Sequence, residues 1–455
     1  MYNFTIVTKT VGSEVFVLTI LITKFLIFLL KLRGGGSSLP GKVALKLNKN
    51  ILTKLSRGWK VILVTGTNGK TTTSDMIVKA MQADGLTVIN NSAGANMTPG
   101  IVAAFAKYYR FGDRRNRRYA VIEVDEAYMR QVTTMIPSTH MIVVTNIFRD
   151  QLDRYGETTT TYKFILDGIK NVPNAKLVLN GDESMLGNMP IPNECVYFGF
   201  DSYGKPEVSA NTESIFCRDC KTRYEYHSIV FNHLGDYECL NCGHSRPELG
   251  YSVTDVVLSP NGSHVLVNDT DIAVGVPGLY NIYNAVCAYA VADNLGVAVE
   301  KIKNSLAVQE SKFGRFESIN VDDKTMKLLL IKNPAGCNQC IDTVAIDEAR
   351  VSLAFLLNDQ YADGRDVSWI YDAHFEKLAA MNVDKVVIGG DRAYDMAIRL
   401  KVAGLDKMNF KICKDFDAFM TAIRGQEHDV YVFNTYTAMT SFRGYLVDKG
   451  LAKKI

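Results

Sequence analysis

The sequence lacks, first, an excess of charge of either sign. Across 455 residues, 51 Lys and Arg stand against 48 Asp and Glu, a formal net charge of +3. Nucleic-acid binding relies on a strong basic field, so this balance speaks against a nucleic-acid partner. Internal repeats and low-complexity tracts are also missing. With 47% hydrophobic and 22% charged residues, the composition is that of a globular chain and not of a disordered one. There is no secreted disulfide framework: four of the nine cysteines form two tight pairs, and the others are scattered at 195, 287, 337, 340 and 413. That distribution fits a reducing compartment and a metal site. The N-terminus has neither a basic n-region nor a small-residue cleavage site, which excludes a secretory signal.

One long hydrophobic run is present, VFVLTILITKFLIFLLKL at residues 15–32. It is marginal in length for a membrane span, which needs about 20 residues, and Lys24 near its centre would be costly in lipid. The run is compatible with an anchor lying on or in the membrane, with Lys31, Arg33 and Lys42 keeping the rest cytoplasmic, with packing on the protein, or with binding a partner. Membrane contact through residues 15–32 is carried forward as an expectation. The basic run at 110–118, RFGDRRNRR, reads as a solvated loop.

The length accommodates two or three domains. A Gly/Ser-rich stretch at 34–41 reads as a linker or tight loop. Beyond it, short apolar runs alternate with helical segments. Residues 61–64, 87–90, 119–124, 141–145 and 177–180 read as strands and 71–83 as a helix, the pattern of a mostly parallel sheet covered on both faces. Residues 209–250, rich in Cys, Tyr, His and Asn, read as an insertion. The alternation resumes with a helix at 284–296, and residues 311–317 read as a hinge. Strands at 327–331, 351–357, 385–389 and 429–433 then form a second α/β domain. The expected division is an apolar segment and linker at 1–40, an ATP-binding domain at 41–315 carrying the insertion, and a Rossmann-like C-terminal domain at 316–455.

The segment from Val61 to Thr73, VILVTGTNGKTTT, is a strand, a glycine loop and a helix start. Glycine lets backbone N–H groups curl around phosphate oxygens, and the helix N-terminus adds partial positive charge. Gly66, Thr67, Asn68, Gly69, Lys70, Thr71 and Thr72 are therefore the expected nucleotide contacts, with Lys70 reaching the terminal phosphates and the Thr71 hydroxyl facing Mg²⁺. The general motif G-x-x-x-x-G-K-[ST] requires glycine where Val64 stands. Cys217, Cys220, Cys239 and Cys242 form two C-x₂-C knuckles separated by residues 221–238. Four thiolates satisfy tetrahedral Zn²⁺ and leave no open position, so the expected zinc is structural. His227, His233 and His244 nearby read as bystanders, with His244 able to compete with Cys242.

The loop G-T-N-G-K-T resembles that of the Mur ligases. Glu123 in VIEVDE matches that family's magnesium glutamate, and TNIFRDQLDR at 145–154 resembles its T-N-I-x-x-D-H-L-D segment, with Gln151 where many members have a metal-binding histidine. GLYNIYNA at 278–285 resembles the segment whose asparagine, here Asn284, approaches the adenine. Arg315 resembles the interdomain arginine that reaches ATP, and KNPAG at 332–336 resembles the last domain's H-N-P segment with Lys332 in place of histidine. Gln151, the zinc knuckles and the DGRDVSWI segment at 363–370 most resemble the branch that amidates lipid II together with a GatD-like glutamine amidotransferase subunit.

This resemblance implies a Mur ligase-like α/β fold and an ATP-dependent amidation of the D-glutamate α-carboxyl of lipid II, at the inner face of the plasma membrane. Lys70 and Glu123 would act on the transferring phosphoryl group, with Mg²⁺ at Thr71 and Glu123. Asp366 would orient the partner's catalytic histidine. A stand-alone amino-acid ligase and a non-catalytic ATP-binding zinc-ribbon scaffold are the alternative readings; Gln151 and the knuckles weigh against the first, and the intact Lys70, Thr71 and Glu123 against the second.

Overall fold

A computed structural model describes residues 2–32, 38–91, 95–111, 118–149, 158–201, 203–205, 214–310 and 315–453, with side chains described from residue 14 onward except at 32 and 315. Asp150, Gln151 and Asp153, the Arg315 side chain, residues 33–37 of the linker and residues 112–117 of the basic run lie outside that description.

Eleven of the described strands precede residue 315: β1 (Lys60–Thr65), β2 (Thr87–Asn90), β3 (Arg118–Glu123), β4 (Thr139–Val144), β5 (Lys176–Asn180), β6 (Cys195–Phe200), β7 (Glu225–Phe231), β8 (Leu234–Glu238), β9 (Tyr251–Ser259), β10 (Gly262–Val267) and β11 (Thr270–Val274). Nine of them form one sheet in the order β11-β10-β9-β6-β5-β4-β1-β3-β2, while β7 and β8 form a separate hairpin. Pairing is parallel from β2 through β9 and antiparallel from β9 to β11. The parallel strands are apolar on both faces: Val61, Ile62, Leu63 and Val64 are all fully buried. Each face needs its own helical cover, and two hydrophobic cores lie on opposite sides of the sheet. One core packs the helices Lys70–Ala83 and Leu279–Asn294, the other Thr98–Tyr108 and Thr158–Lys170.

The second sheet contains β12 (Arg315–Val321), β13 (Lys324–Leu330), β14 (Val351–Leu356), β15 (Val383–Gly389), β16 (Phe410–Ile412) and β17 (Val430–Asn434), in the order β12-β13-β17-β14-β15-β16. It is parallel except for the β12–β13 pair. Gln339 reaches from the helix Pro334–Val344 to accept a hydrogen bond from Tyr280 N at 3.1 Å, joining this half to the start of Leu279–Asn294.

The N-terminal run is a helix, Tyr2–Leu32, and the second half of the expected linker is helical as well: Ser38, Leu39, Pro40 and Gly41 open the helix Ser38–Leu47. Proline fits there because a first-turn N–H has no intrahelical acceptor. The long helix lies against the protein along one side. Thr19, Ile20 and Thr23 are buried, Phe16 meets Tyr109 edge to face, and Lys24 Nζ donates to Tyr109 O at 2.6 Å. The charge at the centre of the run thus turns toward protein. Among the described residues, no helix is long and apolar enough to cross a membrane.

Candidate active site

The order of the first sheet reverses at β1, which lies between β3 and β4. Loops leaving the carboxyl ends of such strands diverge and open a crevice. Gly66 and Gly69, with φ of +119° and +86°, bend the chain out of β1 into the helix Lys70–Ala83. Neither tolerates a side chain: a Cβ at 66 would collide with Thr145, and one at 69 with Asn284. The loop is braced from behind by the chain that leaves β4. Thr67 N donates to Asn146 O at 3.0 Å, Asn68 N donates to Asn146 Oδ1 at 2.9 Å, and Thr145 Oγ1 donates to Asn68 O at 2.7 Å.

Lys70 Nζ folds back over the loop, donating to Gly66 O at 2.6 Å and to Glu126 Oε1 at 2.8 Å. Burial opposes its charge, but Glu126, Glu123 and Asp125 outweigh burial and raise its pKa. Burial pushes the Glu126 carboxyl up as well, against the pull of Lys70. Thr71 Oγ1 donates to Glu123 Oε2 at 2.7 Å, so the two groups expected to share Mg²⁺ meet at the strand end. Asn96 Nδ2 approaches Glu123 Oε1 at 3.3 Å. Asn91 fixes the Glu123 backbone, accepting from Glu123 N and donating to Glu123 O at 2.8 Å each. A hydroxyl and a carboxylate form a hard oxygen set that suits Mg²⁺.

Asn284 is buried. Its Oδ1 accepts from Thr73 Oγ1 at 3.1 Å, and its amide donates to Asn281 Oδ1 at 3.2 Å, placing it against the phosphate loop one turn into its helix. Thr72 lies on the first turn beside these groups, half-buried. Arg315 opens β12. Asp366 is on the loop after β14 in the second sheet. It is exposed, and Ser368 N donates to its Oδ1 at 2.8 Å, which holds its carboxyl below the usual range. The preceding Asp363 is buried and ties the same loop to Thr437, accepting from Thr437 N at 2.7 Å.

The four cysteines converge, their sulfurs all within 4.8 Å of one another. The tight thiol cluster at the tips of two knuckles fits a tetrahedral Zn²⁺, with no position left for catalysis. His244 also lies within ligand distance of the cluster, a ring nitrogen being within 4.8 Å of ligand atoms of Cys217 and Asp219, but both of its nitrogens have other partners. Its Nδ1 meets Tyr224 OH at 2.7 Å and its Nε2 meets Gly187 O at 3.0 Å.

Glu126, Asn91 and Asn96 were not legible as site residues. Glu126 reads as one more acid in VIEVDE, and only the short 3₁₀ turn Glu126–Tyr128, capped by Asp125, brings it back onto Lys70. Its position three residues beyond Glu123 is the one signal available in the sequence.

A strand-end carboxylate, a glycine loop with its lysine and a second α/β half define the ATP-dependent ligases of the Mur type. The Mur ligase middle domain matches residues 64–292, and the MurT ligase C-terminal domain matches residues 330–439. The chain belongs to the Mur ligase family, and within it to the MurT ligases. It is 40% identical over 433 residues to a lipid II isoglutaminyl synthase (glutamine-hydrolyzing) subunit MurT of Streptococcus pneumoniae, covering 94% of this chain and 96% of that one. The same-named subunit of Staphylococcus aureus is 35% identical, covering 82% and 84%. Among solved structures, a pseudomurein peptide ligase type C from Methanothermus fervidus aligns with a TM-score of 0.66 at 20% identity, over 88% of this chain and 81% of that one. A MurF ligase from Thermotoga maritima in complex with ADP aligns at 0.60 and 14%, over 90% and 85%. At such identities the structures establish the fold, which is the Mur ligase α/β fold expected.

Proposed function

We propose that this chain is the ATP-using subunit of an enzyme that amidates the D-glutamate α-carboxyl of lipid II to D-isoglutamine in peptidoglycan synthesis. The observation that carries this reading is the coincidence of an intact phosphate site with close likeness, over nearly the whole chain, to subunits so named. A carboxylate oxygen of the acceptor attacks the γ-phosphorus of ATP, ADP leaves, and an acyl phosphate results. Ammonia then attacks the carbonyl carbon, phosphate leaves, and the nitrogen loses a proton. Lys70 supplies a cation over the transferring phosphoryl group, and Thr71 with Glu123 would hold the Mg²⁺ that spreads its charge.

The ammonia source we propose is a GatD-like glutaminase subunit docked beside Asp366. One oxygen of Asp366 is turned by Ser368 N while the residue stays exposed, the posture an aspartate needs to orient a histidine in trans. Several large apolar side chains of the same half are exposed, among them Tyr361 at 77% on the loop of Asp366 and Tyr371 at 54% on the turn that follows it. We further propose that the helix Tyr2–Leu32 rests its free side, with Leu18, Leu21, Phe25 and Phe28 exposed, on the cytoplasmic membrane surface where a lipid-linked acceptor resides.

The test is ADP release by the purified chain with lipid II and ammonium chloride, with product mass recorded. A loss of about one mass unit per acceptor, dependent on Lys70, is expected from exchanging a carboxylate hydroxyl for an amide. ADP release without that change would assign a different acceptor and overturn the amidation reading.

A further inference from the structure

The zinc ribbon is not a remote appendage. Its hairpin, β7 and β8, points its turn at the back of the phosphate loop. His233 in that turn is fully buried and pairs its Nε2 with Glu183 Oε2 at 2.8 Å. The same carboxylate oxygen accepts a hydrogen bond from Ile147 N at 3.0 Å. The next residue, Phe148, exchanges two hydrogen bonds with the loop: its N donates to Thr67 Oγ1 at 3.0 Å, and Thr67 Oγ1 donates to Phe148 O at 3.2 Å. The Phe148 ring is held between two residues of the hairpin, with centroids 4.8 Å from His233 and 5.6 Å from Phe231.

The other end of the hairpin is the metal cluster. β8 ends at Glu238, and Cys239 follows directly. Neighbouring ribbon residues grip the turn that carries Glu183. Arg218 donates to Met185 O at 3.1 Å and Gly187 O at 3.0 Å, and Gly235 N donates to Asp182 O at 3.0 Å. A continuous path therefore runs from Cys239 along β8 to His233, and through Glu183, Ile147 and Phe148 to Thr67.

We infer that His233 and Phe148 are positioning residues through which the loaded ribbon fixes the phosphate loop, so that metal occupancy sets nucleotide affinity. The physical reason is that loop N–H groups bind phosphate only when their backbone is pre-arranged. Thr67 and Asn68 owe their arrangement to the segment 145–148, which has the hairpin as its rear wall. Without the metal, the four thiols release the hairpin and that wall loosens. Linkage makes the effect mutual: bound nucleotide must then strengthen zinc retention. The inference rests on nucleotide binding at this loop and not on the identity of the acceptor.

The experiment uses the full chain and Mg·ADP, so failure of the amidation reading leaves it intact. Calorimetric ADP affinity, zinc content and thermal unfolding are measured on the wild type, on His233→Ala, and on Phe148→Leu, which keeps the backbone bonds to Thr67 but loses the ring contacts. ADP affinity is expected to fall about tenfold in both variants, with zinc retained, and KM for ATP to rise more than kcat falls. Saturating ADP is expected to slow zinc loss to a chelator by a similar factor. Unchanged ADP affinity in Phe148→Leu, together with zinc loss indifferent to ADP, would overturn the inference. Where His233→Ala does not fold, the Phe148 variant and the chelator measurement decide alone.

Discussion

The charges at the phosphate loop explain themselves one residue at a time. Lys70 is ionised in a nearly dry site because three acids face it, and Glu126 is the one it touches. Replacing Lys70 by Ala removes the cation that meets the transferring phosphoryl group, and ADP release should fall by about 10²–10³-fold. Glu126→Gln removes the nearest counter-charge and leaves Glu123 and Asp125, at a cost of about 1–3 kcal/mol, which a lowered thermal midpoint would report, while Mg·ADP, with its own negative charge, should restore part of the loss. Asp182 offers a pH test. Burial raises its carboxyl to about 6 despite hydrogen bonds from Phe200 N, Tyr283 OH and Arg246. A folded-state value above the unfolded one means that the native state binds the extra proton. Its contribution is therefore fully present below about 4 and is lost as pH rises to about 6, by about 3 kcal/mol. Thermal midpoints of wild type and Asp182→Asn should converge below pH 4 and separate between pH 4 and 6, with the wild type losing more.

At the scale of elements, the chain announced some parts and hid others. The strand–loop–helix at 60–83 was legible because its glycines, lysine and apolar run are contiguous. The cysteine knuckles were legible because metal geometry imposes local spacing. The antiparallel strands β9, β10 and β11 were not, since alternating Val and polar residues on a half-exposed meander carry little signal and pairing is decided by what lies alongside. The Glu183–His233 contact was invisible for a related reason: its partners are 50 residues apart, and His233 read as a bystander among ribbon histidines. The hydrophobic run at 15–32 showed its helix but not which side it would bury. Removing one knuckle ligand tests the ribbon as an element. Cys239→Ser should abolish stoichiometric zinc and lower the unfolding temperature of the central half, because metal binding contributes directly to the folding of such small motifs.

For the whole molecule, the proposed distribution of labour between this chain and a glutaminase partner makes a separable prediction. Asp366 lies far along the chain from Lys70, and among the described residues no hydrogen bond or ion pair joins it to Lys70, Thr71, Glu123 or Asn284, so Asp366→Asn should leave ammonia-dependent turnover unchanged. With the partner subunit and glutamine, turnover should fall by up to about 10⁴-fold, the effect of losing the aspartate behind a catalytic histidine. Equal loss with ammonia and with glutamine would place Asp366 in the fold and not in the partner's chemistry.

The join between the two halves has a consequence of its own. β12 begins at Arg315, while the preceding helix Val299–Ala307 packs with the first sheet, so a short segment joins two halves whose described contacts include the Gln339–Tyr280 and Lys327–Asn261 hydrogen bonds and the Tyr280–Phe316 ring contact. A short tether sustains a local concentration of the order of millimolar. A nick between 310 and 315 would convert docking from an intramolecular event into an encounter in solution. The cut protein would then lose turnover on dilution and recover it on concentration, a behaviour the intact chain does not have.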